Sequence, residues 1–233
     1  MAVGLAARPD PGKYFSDPKA ISLSEAAAVG DTSTLERLSK TGADVNAPGR
    51  GGFTPLLYAF LSQSKEGFSY LLSRGANPNI QLTESFDDLL IKGSSTTSFA
   101  AMDKDIWYLK QVLEHGGDPN LVNATRSHTP IFSAIFSMRT ENAEYLIKHG
   151  ANLNWQDRDG KTPLIQSAIL NQFELAYSML EAGADPMIKD RFGNTVVHSI
   201  KRSIGHTLPD GSKWREKLVA LLKSKGIEVT EGP

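Results

Sequence analysis

Apolar residues in this chain occur in short clusters that recur at a nearly constant distance, and a polar segment rich in glycine and asparagine follows each cluster. These segments start at Gly42, Gly75, Gly116, Gly150 and Gly183 and read, in order, GADVN, GANPN, GGDPN, GANLN and GADPM. Their starts are separated by 33, 41, 34 and 33 residues. A period near 33 residues predicts a stacked array in which no unit can bury its apolar face alone.

A second segment recurs in step with the first and predicts the start of a helix. It reads TPLLYAF from Thr54, TPIFSAI from Thr129, TPLIQSA from Thr162 and NTVVHSI from Asn194. The hydroxyl of Thr162 can accept a hydrogen bond from an orphan amide of the first helical turn. Pro163 suits the first helical position, where no N–H is needed.

The residues at the end of each unit predict a helix stop and a tight turn. Gly183 follows the segment MLEA and can take the left-handed conformation that closes a helix. Asp159 and Gly160 are residues typical of a turn. Each unit is therefore predicted to run helix, loop, helix, turn.

These two segments resemble the repeat of the ankyrin family, whose unit is two antiparallel helices and a projecting hairpin turn. The resemblance covers about Leu23 to Val229. Within the family, the chain is similar to bacterial members. The resemblance implies an all-α fold, an ankyrin repeat solenoid of about six helix-turn-helix units. We expect an extended lead-in at residues 1–21 and a single array at residues 22–229, with Ser22 or Ser24 as the candidate cap of the first unit. The units are expected near residues 22–46, 54–79, 96–120, 129–154, 162–187 and 194–229, with loop inserts at 81–95 and 203–213. We expect the insert at 81–95 to be a mobile loop, because its end is polar and contains glycine and serine.

Composition limits the classes of function and the compartment. The formal net charge of −1 argues against general nucleic-acid binding, which needs a basic stripe. No apolar run approaches the roughly 18–20 residues that span a bilayer. The absence of cysteine excludes disulfides, thiolate catalysis and cysteine-based zinc sites. The first residues lack the basic and apolar regions of a secretory signal, so we expect a cytoplasmic location, or a periplasmic one if a leader has been removed.

Candidate catalytic and metal-binding residues are few, and each also has a structural interpretation. His115 and His149 precede the closing glycine of a unit, where they suit a helix C-terminus. His128 and His206 lie in predicted loops and either contact a partner or are solvated. Asp157 and Asp159 are interpreted as turn residues. Because motifs for hydrolases, phosphate binding and dinucleotide binding are absent, we predict no enzyme, no cofactor and no metal.

Some positions of the repeat are not needed for packing between neighbouring units, and the residue types found there predict a protein-binding surface. By repeat phase, the residues after the small pair of each inner helix face the concave side, and several of them are apolar. Alternatively, these apolar residues are buried under the insert or under a neighbouring helix. Arginines and aromatics at the hairpin tips are residue types enriched in interface hot spots. Trp155 is either a wedge between units or a surface anchor. The predicted partner-binding residues are Arg50, Phe53, Leu61, Met102, Arg126, His128, Phe136, Trp155, Arg158, Lys161, Ile169, Leu170, Arg191, Phe192 and Arg202.

The predicted function is a non-catalytic module, monomeric on its own, that holds one protein partner on its concave face and hairpin tips. Its resemblance to bacterial ankyrin proteins implies an immunity protein that sterically inhibits a secreted toxin, such as a type VI lipase effector. The alternative is a general scaffold or adaptor without inhibitory action. Function lies in sites carried by a fold, so the repeat itself does not decide between these two.

Overall fold

A computed structural model gives the structure of residues 10–88, 90–202 and 209–229. Within these ranges the chain forms twelve α-helices, two short 3-10 helices (Pro11–Lys13 and Arg50–Gly52) and no β-strand. The α-helices pair as the inner and outer helices of six repeats. In order they are α1 (Pro18–Val29) with α2 (Thr32–Lys40), α3 (Pro55–Leu61) with α4 (Lys65–Ser73), α5 (Thr96–Met102) with α6 (Ile106–Glu114), α7 (Pro130–Phe136) with α8 (Thr140–Lys148), α9 (Pro163–Ile169) with α10 (Phe173–Glu181), and α11 (Val196–Arg202) with α12 (Pro209–Ser224).

The chain divides into two compact units, and the division falls between Thr125 and Arg126. The first unit contains α1 to α6, and the second contains α7 to α12. Inner helix packs on outer helix within each of the first five repeats, and inner helix packs on inner helix between consecutive repeats of each unit. The all-α repeat fold is therefore confirmed. A single array over residues 22–229 requires the two units to join as one continuous stack, and this stays a prediction.

Predicted caps and helix stops form at most of the expected positions. Thr162 Oγ1 accepts a hydrogen bond from the N–H of Ile165 at 3.2 Å, and Thr54 Oγ1 accepts one from Leu57 at 3.1 Å. Gly183 has a φ of 93°, in the left-handed region that glycine tolerates best. The helix boundaries of the fifth repeat were thus readable from its sequence.

The start of the first repeat was predicted wrongly. Helix α1 begins at Pro18, four residues before the expected boundary at Ser22, so the lead-in is not extended up to residue 21. Its cap is Asp17, whose carboxylate accepts the N–H groups of Lys19 and Ala20. Asp17 with Pro18 is a cap followed by a proline at the first helical position, which makes an earlier start than Ser24 favourable.

The core consists of apolar side chains at matching repeat positions. Leu56, Ile131 and Leu164 are the second residues of α3, α7 and α9, and all three are fully buried. Thr97 holds this position in the degenerate third repeat and is also buried. Its hydroxyl donates within the first unit, to the carbonyl of Pro78 or the side-chain oxygen of Asn79. A polar residue is tolerated there because its hydroxyl has partners.

Asparagines at the end of the repeat motif join consecutive repeats. Asn46 Nδ2 donates to the carbonyl of Gly75 at 3.1 Å, and Asn46 Oδ1 accepts the N–H of Asn77 at 2.7 Å. Asn79 makes the same pair of bonds with Gly116 and Asp118. The side-chain amide thus satisfies backbone groups that the turn of the next repeat leaves without a partner.

The insert at residues 81–95 is a folded loop, which corrects the expectation of a mobile one. Gln81 and Ser95 form an isolated antiparallel bridge at its base. Leu82 and Leu90 are both buried, and Phe86 packs against the Phe53 ring at 5.6 Å between centroids. The apolar residues within the insert are the reason, since they cover the hairpin of the second repeat.

The second insert, predicted at residues 203–213, was placed wrongly in part. Residues 209–213 belong to helix α12, which begins at Pro209. The remainder, including His206, lies outside the described residues. Pro209 at the first helical position is a start signal, so the insert between the two helices is shorter than the spacing of the repeats indicated.

Candidate interaction surface

Exposed large apolar side chains concentrate in the second unit. Of the six found among the described residues, only Val29 belongs to the first unit. The other five are Phe136 (46% exposed), Met138 (58%), Ile169 (43%), Met187 (57%) and Phe192 (68%). Exposed apolar area on one part of a molecule is a feature of interaction sites.

The ends of the inner helices supply two of these side chains. Phe136 and Ile169 are the last residues of α7 and α9, two helices that pack against each other. Met138 lies two residues beyond α7, in the left-handed conformation (φ 56°) that Asn171 shares beyond α9. Gln172 Nε2 donates to the Met138 sulfur at 3.0 Å and to the carbonyl of Ile135 at 2.8 Å. The sequence analysis did not select Met138 as a partner-binding residue. Its position two residues after the predicted residue Phe136, at the same end of the inner helix, would have indicated it.

The hairpins of the fifth and sixth repeats use their carboxylates internally. Asp157 Oδ1 accepts the N–H groups of Asp159 (2.8 Å) and Lys161 (2.9 Å), which confirms Asp157 as a turn residue. Asp159 is paired with Lys161 Nζ at 3.0 Å and with Arg191 Nη1 at 2.8 Å. The hydrogen bond from Lys161 and its charge, with Arg191, hold the pKa of Asp159 below its ordinary value. Arg191 also lies over the Phe192 ring, at 4.7 Å, and so supports it.

His128 connects the fourth hairpin to the inner-helix face of the second unit. Its ring stacks on Phe132 at 5.1 Å between centroids and approaches Phe136 at 5.0 Å. His128 Nε2 lies 3.9 Å from Asp157 Oδ2. Burial lowers the pKa of His128 below its ordinary value, and the nearby Asp157 carboxylate acts in the opposite direction. The neutral ring therefore serves as an apolar support for Phe136.

A groove of about 570 Å³ lies between the fifth and sixth repeats, and we call it the α9–α11 groove. Its walls include side chains from both inner helices and both hairpins. Among them are Lys161, Ile169, Asn171, Asp190, Phe192 and Arg202. Four of these six were predicted as partner-binding residues from the sequence, and the structure brings them together.

The predicted site residues fall into three groups by exposure. Those exposed are Arg50, Arg126, Phe136, Arg158, Ile169, Arg191, Phe192 and Arg202. Those half-buried are Met102, His128, Trp155, Lys161 and Leu170. Arg50 is paired with Glu84 of the insert at 2.7 Å, and the Trp155 N–H donates to the carbonyl of Ser127 at 2.8 Å. The Trp155 indole is thus tied to the preceding hairpin, which favours its interpretation as a wedge.

Phe53 and Leu61 were predicted to be exposed and are instead buried. The Phe53 ring stacks on Tyr14 at 4.0 Å and is covered by Phe86 of the insert. Leu61 lies one turn beyond Tyr58 on the same face of α3, a helix whose seven residues are all buried. Tyr14 of the N-terminal segment and Phe86 of the insert cover Phe53 at the second hairpin, so repeat phase alone does not give exposure there.

The remaining candidate chemistry is structural or is not assembled. The Nδ1 atoms of His115 and His149 each lie 2.8 Å from a carbonyl oxygen of the preceding helical turn, as expected for residues at helix C-termini. Among the described residues, histidine and acidic side chains form no group of three or more that could hold a metal ion. Within the same ranges, all the helices are too short or too polar to cross a membrane.

Two family models match the chain, and both describe ankyrin repeats. One, for three copies of the repeat, matches residues 97–190, and the other, for many copies, matches residues 23–72. The chain therefore belongs to the ankyrin repeat family. Protein PhlB of Serratia liquefaciens is 32% identical over 158 residues, which are 68% of this chain and 66% of PhlB. The chain thus spans slightly less than two thirds of that relative.

Solved structures agree with the fold. An ankyrin repeat domain from Acinetobacter baumannii AYE has a TM-score of 0.71 and 23% identity, and the match covers 88% of this chain and 98% of that one. A second match comes from a complex of the predatory endopeptidase Bd0816 from Bdellovibrio bacteriovorus with immunity protein Bd3460. It has a TM-score of 0.65 and 21% identity, and covers 84% of this chain and 97% of that one. At these identities the likeness is one of fold.

Proposed function

We propose that this chain is a non-catalytic binding protein that holds one protein partner on the second unit and inhibits it by covering its surface. The partner that we propose is a secreted bacterial toxin, for which this chain would be the immunity protein. A lipase effector of type VI secretion is the toxin class that we favour. The mechanism is steric, since it needs a rigid surface of matching shape and no reacting group.

The observation that carries this proposal is the concentration of exposed apolar side chains in the second unit. Phe136, Ile169 and Phe192 come from three consecutive repeats, at inner-helix ends or a hairpin tip. Apolar and aromatic anchors of this kind dominate the energetics of protein interfaces. A soluble protein exposes such side chains at a cost in solubility, which favours a role in binding.

The surroundings of these anchors resemble an interface rim. Arg126, Arg158, Arg191 and Arg202 are exposed in the second unit, and the carboxylates of Asp157 and Asp159 are held by hydrogen bonds or ion pairs. Arginine is enriched at interfaces because its guanidinium combines a planar apolar surface with several donors. The second unit therefore offers both apolar anchors and a cationic rim.

The comparisons add a precedent for an immunity protein in complex with its partner. Immunity protein Bd3460 occurs in a complex with an endopeptidase, and a chain of that complex shares this fold. The family models match repeats over most of the chain, and repeats supply a surface rather than a reaction centre. These features support a binding protein that blocks a toxin, and they need no additional chemistry.

The test first asks whether an effector gene lies beside the gene for this chain. Its product is then titrated with the chain, with catalytic activity as one readout and isothermal titration as the other. We expect binding and a matched loss of toxin activity. Phe136→Asp combined with Ile169→Asp should weaken binding by 2 kcal/mol or more, typical for central anchors. Because Phe136 also contacts His128, Ile169→Asp alone is tested as a variant outside that stack.

The control is Lys148→Glu, a charge reversal on the exposed end of α8. It should leave both binding and inhibition unchanged, and all variants should keep the wild-type circular dichroism spectrum. Binding without loss of toxin activity would indicate a scaffold rather than an inhibitor. Full affinity in the folded double variant would show that the surface is elsewhere.

A further inference from the structure

Among the residues that the structure describes, the carboxylates of the α9–α11 groove leave Arg202 without a partner. Asp190 Oδ1 accepts the N–H groups of Phe192 (2.9 Å) and Asn194 (2.8 Å), so this carboxylate is committed to its own hairpin. Lys161 is paired with Asp159. Arg202, at the end of α11, is exposed and makes no hydrogen bond, ion pair or ring contact with the described residues. A cation at a helix C-terminus is favourable for the helix by itself, but here it also lines a groove.

The apolar walls of the groove are open and are held in place. Ile169 and Phe192 remain 43% and 68% exposed. The Phe192 ring is supported by Arg191, which is fixed in turn by its ion pair with Asp159. Small-molecule sites bury most of their ligand, and walls as open as these do not enclose one. A segment of a larger molecule fits this shape better.

We propose that the α9–α11 groove binds a protein segment in which an aspartate or glutamate lies next to an apolar side chain. The carboxylate pairs with Arg202, where a guanidinium can donate two parallel hydrogen bonds. The neighbouring apolar side chain packs between Ile169 and Phe192. This deepens the proposed function, on which it rests, by stating the chemistry of the partner segment that the second unit recognises.

A nucleic acid is the less favourable occupant. Strong phosphate binding requires several cations acting together. Among the described residues this groove offers Arg202 as its unpartnered cation, and it also contains Asp190. The whole chain has a formal net charge of −1. Arg202 in a groove with two apolar side chains selects for a single acid beside an apolar residue.

The experiment selects a random dodecapeptide phage library on the full chain, after depletion on the Arg202→Gln/Phe192→Ala variant. We expect the enriched peptides to share an acidic residue beside an apolar one. The best peptide is then titrated against the wild-type chain together with its amide version, in which the acid is replaced by Asn or Gln. The amide version should bind about tenfold more weakly, the effect of losing one charge-assisted hydrogen bond.

Matched variants assign that loss to the groove. Arg202→Gln should bind the acidic and amide peptides equally, Arg202→Lys should retain part of the preference, and Lys148→Gln should behave as wild type. Enriched peptides without an acid would overturn this inference while leaving the proposed function intact. If no peptide is enriched on the wild-type chain relative to the variant used for depletion, the inference about the groove is also overturned. The toxin titration would still decide the proposed function. Oligothymidine and phosphatidylserine vesicles are titrated as well. If either binds more tightly than any peptide, and the binding depends on Arg202, the groove belongs to another class of ligand.

Discussion

At the scale of single residues, Gly67 sets how closely α4 approaches α1. It is buried in the first turn of α4, and a Cβ atom built there would overlap the carbonyl oxygen of Ala27. Glycine inside a helix normally costs about 1 kcal/mol relative to alanine, so its presence here needs a reason. The reason is space, since backbone meets backbone at this point.

Gly67→Ala should therefore destabilise the protein although it improves the helix propensity of α4. Inserting a methyl group into a packed contact costs about 1–3 kcal/mol, which exceeds the gain of roughly 1 kcal/mol in propensity. Urea unfolding measures the difference. Ser73→Ala, at the exposed end of the same helix, is the control and should change stability little. A more stable Gly67→Ala variant would contradict the close approach.

His128 predicts a pH dependence of stability. The folded pKa lies below 6.5 because the ring is partly buried, so the unfolded chain takes up a proton first as the pH falls. The free energy of unfolding should thus be largest above about 6.5 and decrease as the pH falls from there toward the folded pKa. Urea unfolding from pH 8 to pH 5 gives the curve.

The variant His128→Gln isolates this contribution, because the other ionisable groups are unchanged. Asp157, Asp159, Arg126 and Lys161 surround the ring and partly oppose one another, but their charges are present in both proteins. The stability difference, wild type minus variant, should decrease as the pH falls. A difference that rose toward acid pH would show that the Asp157 carboxylate outweighs burial.

At the scale of elements, the insert at residues 81–95 behaves as part of the second repeat. Phe86 packs on Phe53 and on Tyr14, and Glu84 pairs with Arg50. The periodicity of the sequence gave no sign of this packing, because an insert interrupts the repeat. The apolar residues of the insert follow no helical or strand pattern. Only the fold shows that they meet the aromatic cluster of the N-terminal segment.

Leu90→Ala should lower stability by about 2–5 kcal/mol, as expected for truncation of a fully packed leucine. Asp88→Ala, at an exposed position two residues earlier, is the matched control and should have little effect. Thermal unfolding of both variants compares them directly. Equal melting temperatures for wild type and Leu90→Ala would mean that the insert is a mobile loop after all.

At the scale of the whole molecule, each repeat is stabilised chiefly by its neighbours, so a lesion should spread along the chain. Leu164 is fully buried in α9, in the middle repeat of the second unit. Leu164→Ala should cost about 2–5 kcal/mol. Native-state hydrogen exchange should accelerate in α7 to α12 and remain near wild type in α1 to α4. Equal acceleration in all helices would indicate a single cooperative unit.

The repeat period, the helix caps and the closing glycines were determined by the sequence itself, because each depends on a few neighbouring residues. Thr162 with Pro163 and Gly183 marked real helix boundaries for this reason. The same local signals indicated Ile169, Phe192 and Arg202 as surface positions, and all three are exposed.

Tertiary structure alone decided which of the equivalent positions are covered. Leu61 and Ile169 share one repeat position, yet Leu61 is buried and Ile169 is exposed. Phe53 shows one way in which such burial arises, since Tyr14 of the N-terminal segment and Phe86 of the insert, both distant in sequence or outside the repeat, pack on its ring. Exposure depends on what packs against a residue, and a periodic sequence does not encode contacts made from outside its period.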